Sequence, residues 1–118
     1  MTFRELVVPS ALEVLECVGV EPVAPEPGST VQELTFEADG RNSVSFSYDV
    51  IGRSVRVIWK AGDRTILDIF REGAVRIEFR QDGDDTVVDA DFETDSLGGN
   101  IEVRVGGEVQ VKDKLLFV

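Results

Sequence analysis

The stretch NSVSFSYDV (42–50) alternates strictly between polar and apolar side chains, and the fold prediction builds on it. Successive side chains of a β-strand point to opposite faces, so this pattern predicts a strand with one wet face. The apolar face carries Val44, Phe46, Tyr48 and Val50. Short runs of similar character, separated by turns that contain glycine, are QELTFEA, SVRVIWKA, VRIEFRQ, TVVDADFET, NIEVRV and EVQVKDKLLFV.

The short loops between these runs predict antiparallel neighbours. One run, DRTILDIFREG (63–73), is ambiguous, because Asp63 and Gly73 also fit the ends of a helix. We favour a strand over 64–72, since Ile and Phe prefer sheets and strands flank the segment. A meander of about seven to eight twisted strands rarely stays flat, so we expect it to curl into a half-barrel or sandwich.

The chain length of 118 residues is that of one domain, and we assign 1–118 to a single α+β domain. An N-terminal helix is expected to pack on the large antiparallel β-meander. The three parts are a helical start (1–19), a Pro-rich connector (20–29) and the antiparallel sheet (30–118).

Two capping-box patterns mark the helical start. Ser10 with Glu13 predicts a helix over about 11–18. Thr2 with Glu5 predicts a further turn of helix near 3–7, and Pro9 separates the two. Gly19 suits the residue that follows the last helical turn. Cys17, the single cysteine, lies in the apolar run LEVLECVGV and is interpreted as a buried hydrophobic residue.

The residue types exclude much enzyme chemistry. The chain has no histidine, which removes the usual catalytic triads and histidine-based metal sites. One cysteine cannot form a thiolate cluster, and no glycine-rich phosphate loop precedes a helix. We therefore predict a protein that is not an enzyme and has no cofactor and no metal.

The net charge of −11 points to a protein partner. Binding to nucleic acid or to anionic lipid requires clustered Lys and Arg, so neither a nucleic acid nor a membrane is expected as a partner. No apolar run approaches the length of a membrane span, and acidic residues interrupt the N-terminus where a signal peptide would be apolar. We expect a cytoplasmic protein whose partner is a basic protein.

The acidic residues are densest in QDGDDTVVDADFETDS (81–96). Asp82, Asp84 and Asp85 surround a glycine, as in acidic β-turns, and their spacing fails the EF-hand pattern. Beyond that turn, a row of acids occupies every second position and so shares one face of a strand. The row consists of Asp89, Asp91, Glu93 and Asp95.

Two interpretations of this row stay open. Residues 53–80 carry seven bases against four acids, a local net charge of +3. If 75–80 pairs with 86–93, Arg76 and Arg80 would neutralise part of the row, leaving a solvated, salt-bridged face. In the other interpretation, Asp89, Asp91, Glu93 and Asp95 are the partner-binding residues that capture a basic protein.

These observations favour a non-enzymatic acidic protein-binding domain, of the type to which immunity proteins and antitoxins belong. Such a protein would neutralise a basic toxin by electrostatic and steric occlusion. One alternative is a small-molecule-binding or carboxylate-dependent enzyme domain with a cavity in the curled sheet, for which Asp68 is the candidate acid. Another is a β-rich assembly subunit, or a homo-oligomer, that pairs through the apolar C-terminal strand 109–118.

Overall fold

The computed structural model describes residues 5–117, which form one helix and eight strands. The helix is α1 (Ala11–Val18). The strands are β1 (Val31–Ala38), β2 (Asn42–Asp49), β3 (Ser54–Ala61), β4 (Arg64–Glu72), β5 (Ala74–Asp82), β6 (Asp85–Glu93), β7 (Leu97–Val105) and β8 (Val109–Phe117). The ambiguous segment 64–72 is therefore a strand, as favoured, and its partly buried side chains alternate with exposed ones.

The strands form two four-stranded antiparallel sheets in which every strand pairs with its neighbours in sequence. The first sheet has the order β1-β2-β3-β4 and the second the order β5-β6-β7-β8. The predicted α+β fold, with an N-terminal helix and a curled antiparallel meander, is confirmed. Of the two predicted shapes, the structure has the sandwich, and the strands do not close into a barrel.

One hydrophobic core lies between the two sheets. The alternation predicted from 42–50 holds for Val44, Phe46 and Tyr48, which are all buried. Val50 does not follow it, because it lies beyond the end of β2 and is 39% exposed. The Phe46 ring meets the Phe79 ring of the second sheet edge to face, with 6.2 Å between the ring centroids. Trp59 packs on this core and donates its indole N–H to Asn42 Oδ1 at 2.9 Å, so its polar atom is satisfied.

The chain passes from one sheet to the other at Gly73. Its φ of 89° lies in the left-handed region that favours glycine, and a Cβ there would approach Thr94 Cγ2 to 2.8 Å. The backbone N–H groups of Gly73 and Ala74 both donate to the Arg53 carbonyl. Gly73 accepts in turn from the N–H of Glu93. This junction divides the meander into two halves.

The helix has the termini that its sequence predicts. Ser10 and Glu13 form the reciprocal capping box, and Gly19 follows the last turn with a φ of 76°. Val14 is the helix residue that is fully buried.

The predicted turn of helix near 3–7 is wrong for residues 5–7, whereas Thr2 and the start of that segment lie outside the described residues. Val7 is extended and bridges β5: its N–H donates to the Val75 carbonyl at 3.0 Å and its carbonyl accepts from Ile77. The Pro-rich connector makes a similar bridge to β1, between Val23 and Glu33. Both bridges satisfy backbone groups of strands that would otherwise be bare sheet edges.

Candidate protein-binding surface

The acidic row lies on the outer face of the second sheet. Asp89, Asp91 and Glu93 belong to β6, whereas Asp95 lies in the turn beyond the end of that strand. The alternate residues Val88, Ala90 and Phe92 are buried in the core, as the pattern predicts. The prediction that all four acids share one face of a strand therefore holds for the three members within β6, whereas Asp95 is outside the strand because the chain turns after Glu93.

Two members of the row make ion pairs with β5. Arg76 lies directly opposite Asp91 in the register, and the two side chains are 3.2 Å apart. Arg80 approaches Asp89 to 3.3 Å. The sequence-based expectation that these two arginines neutralise part of the row is thus confirmed by their positions. All four side chains are at least a quarter exposed, so each pair contributes little to stability, about 0–1 kcal/mol.

Asn100 of β7 holds the two carboxylates together from the other side. Its amide nitrogen donates to Asp91 Oδ1 at 2.8 Å and makes a second short contact to Asp89 Oδ1. One amide group therefore spans both acids and fixes their side chains at neighbouring positions. No sequence signal identified Asn100, because its role depends on the pairing of β6 with β7.

Charges of both signs continue across the outer face of this sheet. Arg80 also approaches Glu102, and Arg76 also approaches Glu78 at 3.2 Å. Lys112 and Lys114 of β8 lie opposite Glu102 and Asn100 in the register. Positive and negative side chains alternate across this face and largely balance one another. The net charge of −11 therefore comes mainly from other parts of the molecule.

The acidic turn 82–85 is also partly neutralised. The Arg104 guanidinium donates to Asp85 and to Asp82, each at 3.0 Å, and these hydrogen bonds raise the Arg104 pKa. Among residues 5–117, no group of three or more metal-ligating side chains is arranged to hold an ion. The turn connects β5 to β6 and carries Asp84 at its tip, exposed.

Asp68 lies on the outer face of the first sheet, where it pairs with Arg56. Two hydrogen bonds of 3.0 and 2.8 Å join the guanidinium to the carboxylate, and they lower the Asp68 pKa. Both side chains are about half exposed to solvent, so Asp68 does not point into a closed cavity. In the described part of the chain no polar or charged residue is fully buried, which disfavours the carboxylate-enzyme alternative.

The interpretation of Cys17 as a buried residue is wrong. The side chain is exposed on α1, and its thiol lies 3.3 Å from the Phe79 carbonyl. The apolar run around it misled the prediction, since α1 buries only a narrow stripe of its surface against β5. Leu12 and Leu15 of the same run are exposed as well.

A groove that the sequence did not predict opens where α1 ends and three turns of the sandwich meet. It has a volume of about 610 Å³. Its walls combine apolar side chains near the helix end with exposed carboxylates from the end of β1 and from two turns. The carboxylates are Glu37, Asp39 and Asp84.

The C-terminal strand β8 is the outermost strand of the second sheet. Its last apolar side chains are exposed: Leu115 by 57%, Leu116 by 64% and Phe117 by 91%. The preceding Val109 and Val111, by contrast, pack against the core. The apolar end of this strand is thus partly outside the sandwich, and its pairing with another chain stays a prediction.

Comparisons with known proteins give one informative match. This chain is similar to a chain of the contact-dependent growth inhibition toxin–immunity protein complex from Klebsiella pneumoniae 342, with a TM-score of 0.78 and 22% identity. The alignment covers 98% of this chain and 100% of that chain, so the whole fold is shared. No protein-family model and no curated protein matches the sequence. Within residues 5–117 no helix has the length and hydrophobicity to cross a membrane.

Proposed function

We propose that this chain is an immunity-type protein, which binds a toxin and blocks it without catalysing a reaction. The observation that carries the proposal is the likeness, over the full chain, to a chain of a toxin–immunity protein complex. The net charge of −11 supports a basic toxin as the partner. In this proposal the protein acts in the cytoplasm, and neither a nucleic acid nor a membrane is its partner.

The acidic row is the proposed docking site on this protein. A strand inside a sheet holds its carboxylates at fixed spacing, so little conformational entropy is lost when a partner binds. Arg76 and Arg80 already hold Asp91 and Asp89, but surface ion pairs of this kind are weak and exchange partners at small cost. Glu93 and Asp95 extend the row at its exposed end.

The proposed mechanism combines steering with occlusion. The negative field of the molecule raises the rate at which a basic partner arrives, and the sheet face then covers the partner's functional surface. A salt series tests the first part. The association rate should fall steeply between low and physiological ionic strength, and a rate that ignores salt would remove steering from the mechanism.

Growth rescue tests the function. The product of each gene adjacent to that of this chain is expressed in a bacterial host with and without this protein. Rescue of growth, together with a complex that survives gel filtration, is the expected result. A neighbouring gene product that arrests growth and is not countered by this protein would overturn the proposal.

Charge reversal tests the docking site. The double variant Asp91→Lys, Glu93→Lys should abolish rescue and weaken the complex, while its circular dichroism spectrum stays that of the wild type. The matched control is Asp63→Lys, which reverses an exposed charge in the turn between β3 and β4. Equal affinity of the double variant and the control would discard the row as the site.

Self-association through β8 is a separate proposal, carried by the exposed side chains of Leu116 and Phe117. An outermost strand offers unpaired backbone groups to a second copy, and these apolar side chains favour burial. Light scattering at increasing protein concentration measures this self-association. A dimer that Leu116→Lys returns to a monomer is the expected result, and a wild type that stays monomeric at all concentrations would contradict the proposal.

A further inference from the structure

The groove beside the end of α1 has an apolar floor. Its floor is built from the partly buried Val18 and Val20, which follow one another around the helix end, and from Phe36 and Val105 of the two sheets. Phe36 and Val105 are 5% and 4% exposed, so they belong to the core and their surfaces form the base of the groove. Both sheets and the helix therefore meet at this place.

Three carboxylates stand on the rim of that floor. Glu37 and Asp39 come from the end of β1 and the turn that follows it, and Asp84 comes from the turn between β5 and β6. All three are exposed, and no lysine or arginine is among the described residues that line the groove. Arg41, the nearest base in sequence to Asp39, directs its guanidinium towards Gly62 instead.

The helix adds negative potential at the same place. The carbonyl end of α1 lies at Val18, and the last turn of the helix contains no basic residue. The aligned peptide dipoles give a helix end of this kind a partial negative charge. The groove thus differs from the outer face of the second sheet, where Asp89 and Asp91 already have arginine partners.

We propose that this groove binds an arginine or lysine side chain from a basic segment of the toxin, an inference that rests on the proposed function. The apolar stem of such a side chain would lie on Val18 and Val20, and its cationic head would reach the rim carboxylates. The charge complementarity selects this occupant, because an apolar or acidic segment would leave the three acids desolvated and without a counterion.

Gly107 makes it possible to test occupancy without a change of charge. It lines the groove, its φ is outside the left-handed region, and a Cβ there would meet only Asp39 Oδ2, at 3.9 Å. Gly107→Leu should therefore fold normally and fill the groove. The complementary variant, Glu37→Gln with Asp84→Asn, keeps the shape and removes two charges. Asp63→Asn is the control for the loss of an exposed acid at a distant turn.

A hexa-arginine peptide is the first probe, and the 13.0 kDa chain suits observation of amide signals by NMR. Titration should shift the signals of Gly106, Gly107 and Val20 while those of Asn100 and its neighbours change little. Gly107→Leu should weaken peptide binding by about tenfold, and the double variant by roughly two- to fivefold for each carboxylate. A peptide that does not bind, or whose shifts follow the acidic row instead, would overturn the proposal.

The second probe is the toxin whose growth arrest this protein relieves in the rescue experiment. If the toxin binds the wild type and Gly107→Leu equally well, the groove is not part of the interface, although the proposed function stands. If the peptide binds the groove and the neighbouring toxin is not bound by the wild type, the proposed function fails and the cation-binding groove remains. If the groove is part of the interface, Gly107→Leu should bind the toxin more weakly than the wild type does. Asp63→Asn should bind it with wild-type affinity.

Discussion

Arg71 and Asp113 join the two sheets across 42 residues of sequence. The guanidinium donates two parallel hydrogen bonds, of 2.5 and 2.7 Å, to the carboxylate, and its central carbon lies 5.4 Å from the centroid of the Phe92 ring. Arg71 belongs to β4 and Asp113 to β8, the last strand of each sheet. The arginine side chain is only 18% exposed, so this pair is shielded from water better than the pairs on the outer faces.

Loss of this pair is expected to destabilise the fold. Asp113→Asn leaves Arg71 without a counterion at a mostly covered position, and the free energy of unfolding should fall by about 1–3 kcal/mol. Urea denaturation measures this loss in the free energy of unfolding, with the fluorescence of Trp59 as the signal. The control is Lys112→Gln, which removes a charge one position away on the exposed face. An Asp113→Asn midpoint equal to that of the control would show that the pair contributes nothing.

The phenol of Tyr48 should lose its proton at a higher pH than the phenol of an exposed tyrosine does. Burial raises the pKa of its phenol above the ordinary value, and it is the single tyrosine of the chain, so its absorbance change is unambiguous. As the pH rises, the unfolded chain loses the phenol proton at a lower pH than the folded chain does. The stabilisation of the fold by the neutral phenol is therefore complete below about pH 10, and it is lost as the pH rises through the folded-state pKa. Tyr48→Phe should remove this part of the alkaline destabilisation, and a phenol that titrates at its ordinary pKa would contradict the expectation.

Asp68 should show the opposite pH dependence. Hydrogen bonds from Arg56 lower its pKa, so the stability that depends on its charge is present above about pH 4 and is lost as the pH falls through the folded-state pKa. Carboxyl-carbon NMR gives that pKa directly. Arg56→Gln should return it towards the ordinary value, whereas Arg64→Gln, at the start of the same strand as Asp68, should leave it nearly unchanged. An identical Asp68 pKa in both variants would rule out the assigned cause.

The bridge from Val7 to β5 should protect that edge of the second sheet. Val7→Pro deletes the N–H that donates to the Val75 carbonyl, and we expect a loss of about 1–2 kcal/mol together with increased association. Val7→Thr keeps the N–H at a side chain that is 61% exposed, so it should behave almost as the wild type. Urea denaturation and light scattering follow the two effects. Equal stability of Val7→Pro and Val7→Thr would show that the bridge has no structural role.

Local pattern was sufficient to predict the strands but not their division into sheets. Period-two alternation predicts 42–50 and its neighbours because it reports which side of one strand is buried. The passage between the sheets depends on Gly73 and its contacts with Arg53 and Thr94, which are distant in sequence. The bridge at Val7 was missed for the same reason, since its partner β5 begins at residue 74.

The candidate site shows the same limit. The carboxylates of the row, and their arginine partners on β5, follow from alternation and from the pairing of adjacent strands. Asn100 and the groove do not, because they arise where separate turns and the helix end converge. Cys17 was misplaced because an apolar run does not reveal how narrow a stripe of a short helix will be covered.

The pairing of every strand with its neighbours in sequence has a kinetic consequence. Each strand pairs only with strands adjacent to it in sequence, so no ladder requires the closure of a long loop before it can form. The ladders of the first sheet involve no residue beyond 72, so they can begin to pair while the second sheet is still being synthesised, and the second sheet then covers their apolar face. In the proposed function, an immunity-type protein would gain from this order of assembly, because the toxin-binding form would be available shortly after translation.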